Sequence, residues 1–144
     1  MQSNLQKVER YFDQSASQFD ALYDERRNLS FYVNRLFRPG LYKRVQITLG
    51  ELRELEDFSV LDVGCGSGRN SFLFERAGAT RVLGVDFAQG MIELARQAKA
   101  SRPANSRCEF ICEDVLKYRF KDKFDVSVAL GVFDYTKDPR ELLS

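Results

Sequence analysis

Residues 60–74, VLDVGCGSGRNSFLF, set three glycines, Gly64, Gly66 and Gly68, directly after an apolar run, with one carboxylate, Asp62, two places before the first of them. A glycine-rich turn from strand into helix lets backbone approach a ligand closely and presents the N–H groups of the helix N-terminus. The same turn could serve only as a tight connection, and Asp62 could cap local backbone N–H groups rather than meet a ligand. Two further acids close later apolar runs. Asp86 ends RVLGVD, 22 residues after Gly64, where a carboxylate can accept hydrogen bonds from ribose hydroxyls. Asp114 ends RCEFICED, where an acid can accept from an adenine amino group with Val115 or Phe87 beside the ring, or can simply be solvated. In an open parallel sheet the ligand crevice lies outside the carboxyl ends of the strands, so Asp62 to Gly68, Asp86 and Asp114 would converge there.

Two ligand classes compete for such a loop. The dinucleotide fingerprint G-x-G-x-x-G requires a third glycine at position 69, which is Arg69. A carboxylate just ahead of the loop would repel a pyrophosphate but suits a ligand bearing an ammonium and a sulfonium. S-adenosylmethionine carries both. Asp86 does not discriminate, because both ligands contain ribose.

The elements that must position these residues follow from periodicity. Residues 59–64, 81–86, 107–114 and 124–131 read as strands, and segments near 67–77 and 88–100 read as helices between the first three. Alternation at this spacing implies βαβ units with right-handed crossovers, hence an α/β fold with a Rossmann-like parallel sheet. Upstream, residues 4–27 carry Leu5, Val8, Tyr11, Phe12, Phe19, Leu22 and Tyr23 at mostly helical spacings, read as one or two amphipathic helices. Pro39 and Gly40 interrupt the chain before helical periodicity resumes over 41–56. The expected division is an N-terminal helical cap over residues 1–57 and the core over residues 58–144.

Composition narrows the function classes. A chain of 144 residues with 44% hydrophobic and 30% charged residues is one ordinary globular domain. No segment approaches the roughly 18 consecutive apolar residues of a membrane span, and the polar start lacks a signal-peptide core. A cytoplasmic location is expected. Lys+Arg of 22 against Asp+Glu of 21 leaves no field to gather nucleic acid. Cys65, Cys108 and Cys112, with no histidine in the chain, make a poor metal set and read as reduced structural thiols, so no metal is expected. The absence of histidine also removes Ser/His and Cys/His nucleophilic machinery.

In order and spacing, VLDVGCGSG, VLGVDFAQGMIELAR, FICEDVLKYRF and KFDVSVALGVFDYTKDP resemble the successive motifs of the class I S-adenosylmethionine-dependent methyltransferases, over residues 60–139. The resemblance implies that Asp62, Gly64, Cys65, Gly66 and Gly68 hold the methionine portion, Asp86 the ribose, Phe87 and Met91 one side of the adenine, and Asp114 with Val115 its edge. Leu130 and Gly131 would line the methyl end. Residues 11–24 resemble the helical cap of the small-molecule branch, including quinone methyltransferases, in which Tyr11, Phe19 and Tyr23 would close over the cofactor or pack in the core. The implied strand order is 3-2-1-4. The chain stops at residue 144, where the family core would continue through a further helix and three more strands. The fourth strand is then expected to expose an apolar edge able to pair with another chain.

The implied activity is methyl transfer from S-adenosylmethionine, leaving S-adenosylhomocysteine, to a small-molecule acceptor. Asp134 and Tyr135, just past the fourth strand, are candidates to meet that acceptor. The segment 131-GVFDY-135 stands where adenine and glutamine methyltransferases carry an Asn/Asp-Pro-Pro-aromatic signature, which with the near-zero charge argues against DNA. Two other readings stand beside it: a non-catalytic cofactor-binding or partner-subunit module of the same fold, and a nucleotide-dependent oxidoreductase of the NAD type with a divergent glycine loop.

Overall fold

The computed structural model describes residues 39–130 together with residues 132 and 140. Its elements run α1 (Pro39–Arg53), β1 (Ser59–Val63), α2 (Arg69–Arg76), β2 (Arg81–Asp86), α3 (Gln89–Ala100), β3 (Cys108–Cys112) and β4 (Val126–Ala129). The strands form one parallel sheet in the order β3-β2-β1-β4, as the motif resemblance implies. Of the N-terminal segment expected as a cap, residues 1–57, residues 1–38 with Tyr11, Phe19 and Tyr23 lie outside the described residues.

Pro39 and Gly40 do not interrupt a helix; they begin one. A proline at the first helical position forfeits an N–H that has no intrahelical partner there in any case, and α1 continues from it to Arg53. Val45, Leu49 and Leu52 fall on one stripe of α1 and are buried. They join the same apolar cluster as Phe72 and Phe74 of α2, Ile92 and Ala95 of α3, and Val60, Val82, Cys108, Phe110 and Val128 of the four strands. All three described helices therefore cover one face of the sheet. Leu61, Val63, Leu83 and Val85 face the other side, where Ile111, Val115, Phe120, Phe124, Ala129 and Val132 pack on them. Apolar side chains on both faces of β1 and β2 are what a central parallel strand requires.

Strand ends are shorter than the apolar runs suggest. The expected strands over 107–114 and 124–131 form only as Cys108–Cys112 and Val126–Ala129, because pairing stops where the partner does. Asp86 of β2 is opposite Cys112 of β3, and Val63 of β1 is opposite Ala129 of β4. Beyond Cys112 the backbone turns, with the Lys117 and Tyr118 N–H groups both donating to the Asp114 carbonyl. At the other end of the sheet, the Ser59 N–H and hydroxyl both donate to Asp125 Oδ2, at 2.8 and 2.7 Å, tying the start of β1 to the approach to β4.

Candidate functional site

The register lines up the carboxyl ends of β1, β2, β3 and β4, so Asp62 with the glycine loop, Asp86, Asp114 and Leu130 all stand along one edge of the sheet. The loop itself is held from below. The N–H groups of Gly64 and Cys65 donate to the Val85 carbonyl at 2.7 and 3.1 Å, and Gly66 N–H donates to Asp86 Oδ2 at 2.9 Å. These three donors, expected to face a ligand, instead anchor the turn to β2. Asp86 also accepts from Ala88 N–H at 2.9 Å through its other oxygen, so its carboxylate couples the glycine loop to the start of α3. A carboxylate has about four acceptor positions, which leaves capacity for ribose hydroxyls.

The glycines do different work. Gly64, Gly66 and Gly68 have φ of 68°, 54° and 80°, the left-handed region that favours glycine. At Gly68 a Cβ would lie 2.6 Å from Phe110 Cζ and 3.1 Å from Ala95 Cβ, so this residue lets α2 close on β3 and α3. The packing role that a dinucleotide loop gives to its third glycine falls here to position 68 rather than 69. A Cβ at Gly64 would run into Val132, whereas at Gly66 its nearest neighbour among the described residues would be Met91 Sδ at 4.0 Å. Among these residues, space over the loop is therefore at Gly66, bordered by Met91, which packs with Ala88 and Leu94.

Asp62 is 2% exposed and Ser71 fully buried, and they are the buried polar side chains of the described core. Ser71 Oγ donates to Asp62 Oδ2 at 2.6 Å. Burial pushes the Asp62 carboxyl up from 3.8 to about 7; the Ser71 hydrogen bond pulls it down and the Asp86 charge adds to the rise. The site thus contains a buried carboxyl group that is only partly charged near neutral pH, two residues before the glycine turn.

Asp114 accepts from Leu116 N–H at 3.1 Å through Oδ1 and pairs with Lys117 Nζ at 3.2 Å through Oδ2, so it shapes its own turn as well as marking the strand end. Phe87 is half-buried, and its carbonyl accepts from Cys112 Sγ at 3.5 Å. Val115 packs on the far face of the sheet and Leu130 on the helix-covered face. No two of Cys65, Cys108 and Cys112 are joined in a disulfide. Burial pushes the Cys65 thiol well above its ordinary value and the Cys108 thiol to about 12, so neither is a nucleophile; Cys65 contributes backbone and packing. Gly131, Asp134 and Tyr135 lie outside the described residues. Among the described residues no group of His, Cys, Asp or Glu could hold a metal ion, and no helix is long and apolar enough to cross a membrane.

Residues 60–144 match the family model described as a methyltransferase domain. The chain belongs to the class I S-adenosylmethionine-dependent methyltransferase family. Among curated relatives of this methyltransferase domain, the demethylmenaquinone methyltransferase of Lactococcus lactis subsp. lactis is 33% identical over 131 residues, covering 89% of this chain and 47% of the relative. The malonyl-[acyl-carrier protein] O-methyltransferase of Acetivibrio thermocellus is 33% identical over 100 residues, 67% of this chain and 34% of the relative. The chain thus spans between a third and a half of the length of these relatives. The magnesium protoporphyrin IX methyltransferase of Synechocystis PCC 6803, solved with bound SAM, superposes with a TM-score of 0.75 at 25% identity, covering 94% of this chain and 65% of that one.

Sequence reasoning missed three members of the site. Ser71 is a polar residue in the first turn of α2, where polar residues are ordinary; its signal was placement on the inward stripe with Phe72 and Phe74. Gly84 lies inside β2, and a Cβ there would meet Phe110 Cδ1 at 2.6 Å and Cys65 Sγ at 2.9 Å. A lone glycine within a strand signals such a close approach. The Val85 carbonyl, which holds the loop, has no sequence signal.

Proposed function

We propose that this methyltransferase domain binds S-adenosylmethionine along the carboxyl edge of its sheet and transfers the methyl group to a small-molecule acceptor. The observation that carries the reading is the placement of Asp62, Asp86 and Asp114 at or beside three successive strand ends around a glycine loop that, among the described residues, has space at Gly66. Such a set of acceptors fits the cofactor: acids suit its cationic methionine end, its ribose hydroxyls and its adenine amino group, and none of them suits a pyrophosphate. Asp62 and the loop over Gly64, Cys65, Gly66 and Gly68 would hold the methionine part, Asp86 the ribose, and Phe87, Met91, Asp114 and Val115 the adenine. Leu130 and Gly131 would flank the methyl end, with Tyr11, Phe19 and Tyr23 as the cover and Asp134 and Tyr135 toward the acceptor.

When bound, a sulfonium supplies an already activated methyl group. The chain's own contribution is then to orient and to exclude water, which needs no histidine. Asp86 fixes the loop and the α3 turn relative to each other before any ligand arrives, so little ordering is left for binding. The relatives named above act on a quinone, a carrier-bound acyl group and a porphyrin, as their names state; their diversity supports the cofactor reading more strongly than any one acceptor. A cytoplasmic location is part of this reading, in keeping with three cysteines that are not joined to one another in disulfides. Among the described residues β4 pairs with β1 alone, which supports association with another strand through its outer edge.

The test is transfer of labelled methyl from S-adenosylmethionine to a panel holding a quinol, a porphyrin, a carrier-bound acyl acid and a histone peptide. Label on one of the first three is expected. Label on the peptide alone would overturn the small-molecule reading.

A further inference from the structure

Building on the cofactor reading above, we propose that Ser71 is a positioning residue for the cationic end of the ligand: its hydroxyl orients the Asp62 carboxylate under the glycine loop and favours its charged form. Ser71 lies in the first turn of α2 and is fully buried. A serine hydroxyl inside a helix commonly turns back to the carbonyl four residues earlier. Here it donates across to Asp62 Oδ2 at 2.6 Å instead, the short distance expected of a bond to an ionised oxygen. The helix turn that carries it is itself fixed: Phe72 N–H donates to the Gly68 carbonyl, and the Ser71 carbonyl accepts from Cys108 Sγ of β3 at 3.5 Å. The hydroxyl is thereby held in register with the loop on one side and the sheet on the other.

The other groups around Asp62 do not share this task. Its strand neighbours are Gly84 on β2 and Val128 on β4, α1 and α3 present Val45, Leu49, Leu52, Ile92 and Ala95 to this core, and Asp86 at the end of β2 and the Cys65 thiol in the loop are acidic groups. Burial and the Asp86 charge both drive Asp62 toward its neutral form, and the Ser71 bond is what opposes them. A neutral carboxyl would attract an ammonium far less than a carboxylate does. Without Ser71, the ligand would meet a protonated Asp62 at neutral pH.

The experiment compares wild type, S71A and S71T by calorimetric titration with S-adenosylmethionine between pH 6 and pH 9, with 5′-methylthioadenosine, which lacks the amino-acid part, as control. The Asp62 carboxyl is followed in the ligand-free chains by carbon NMR. S71A is expected to weaken S-adenosylmethionine by roughly fivefold at pH 7, the fall in ionised Asp62 that a midpoint raised by about one unit gives, with the loss shrinking toward pH 9. Methylthioadenosine should bind both alike, S71T should restore affinity, and the Asp62 midpoint should rise by about a unit in S71A. A loss equal at all pH values, a loss shared by methylthioadenosine, or an unmoved Asp62 midpoint would overturn the role of Ser71 while leaving the cofactor reading intact. Failure of the wild type to bind at any pH would overturn the cofactor reading itself. Should S71A not fold, S71C, whose thiol is only a weak donor, takes its place in the same comparison with S71T.

Discussion

Replacing Asp62 by Asn should convert a pH-sensitive core into an indifferent one, and the size of the effect follows from its burial. The folded-state carboxyl titrates at about 7 against 3.8 when exposed. A group raised in this way contributes stability that is fully present below its unfolded value and lost as pH rises through its folded value. At about 1.4 kcal/mol per unit the full difference is about 4 kcal/mol, of which about 3 kcal/mol is lost between pH 5 and pH 8. Asn keeps the shape and can still accept from Ser71, yet never charges. Urea unfolding of wild type and D62N at pH 5, 6, 7 and 8 reads the contribution of Asp62 and its coupling to Asp86, because groups that do not interact with Asp62, Asp125 included, cancel in the difference. The difference should move by about 3 kcal/mol in favour of D62N across that range, at constant m-value. A difference that does not vary with pH would refute the claim that Asp62 is desolvated in the folded chain. Saturating S-adenosylmethionine should reverse the trend at pH 8, since a bound cation stabilises the charged wild type alone.

Four more expectations can be checked, three with single variants and one on the native protein. Asp86→Ala removes acceptors from Gly66 and Ala88 N–H groups and should weaken S-adenosylmethionine binding by about 1.5–3 kcal/mol in calorimetry while also lowering the urea midpoint; unchanged affinity in a folded variant would exclude it from the site. Gly68→Ala should destabilise by roughly 2–4 kcal/mol through overpacking against Phe110 and a strained φ. Gly66→Ala meets only Met91 Sδ at 4.0 Å and should cost about 1–2 kcal/mol of stability but a larger share of cofactor affinity, so equal stability losses for the two would contradict the packing described. In native protein, a thiol reagent should modify Cys112, which is half-buried, well before Cys65 or Cys108, and all three equally after unfolding.

The order of elements was legible because apolar runs of strand length ending in acids and glycines are strong signals in an α/β chain. Asp62, Asp86 and Asp114 stand at the strand edge as their sequence positions imply. What the chain did not disclose is where backbone groups spend their hydrogen bonds. The Gly64, Cys65 and Gly66 donors look available in a glycine-rich turn, but Val85 and Asp86 claim them, and such pairing depends on the register between β1 and β2. Pro39 reads as a breaker in isolation, yet its effect depends on whether it falls before or inside a helix. Ser71 was hidden for a related reason: its partner is nine residues away and meets it only once α2 folds back over β1.

The central claim is that the carboxyl edge of this sheet is an S-adenosylmethionine site, and calorimetric titration of the 144-residue chain tests it most directly. The account predicts saturable binding of S-adenosylmethionine and S-adenosylhomocysteine, abolished or strongly weakened in Asp86→Ala, and none of NAD(H) at the same concentrations. Preferential binding of NAD(H), or no binding of S-adenosylmethionine by a folded chain, would contradict it.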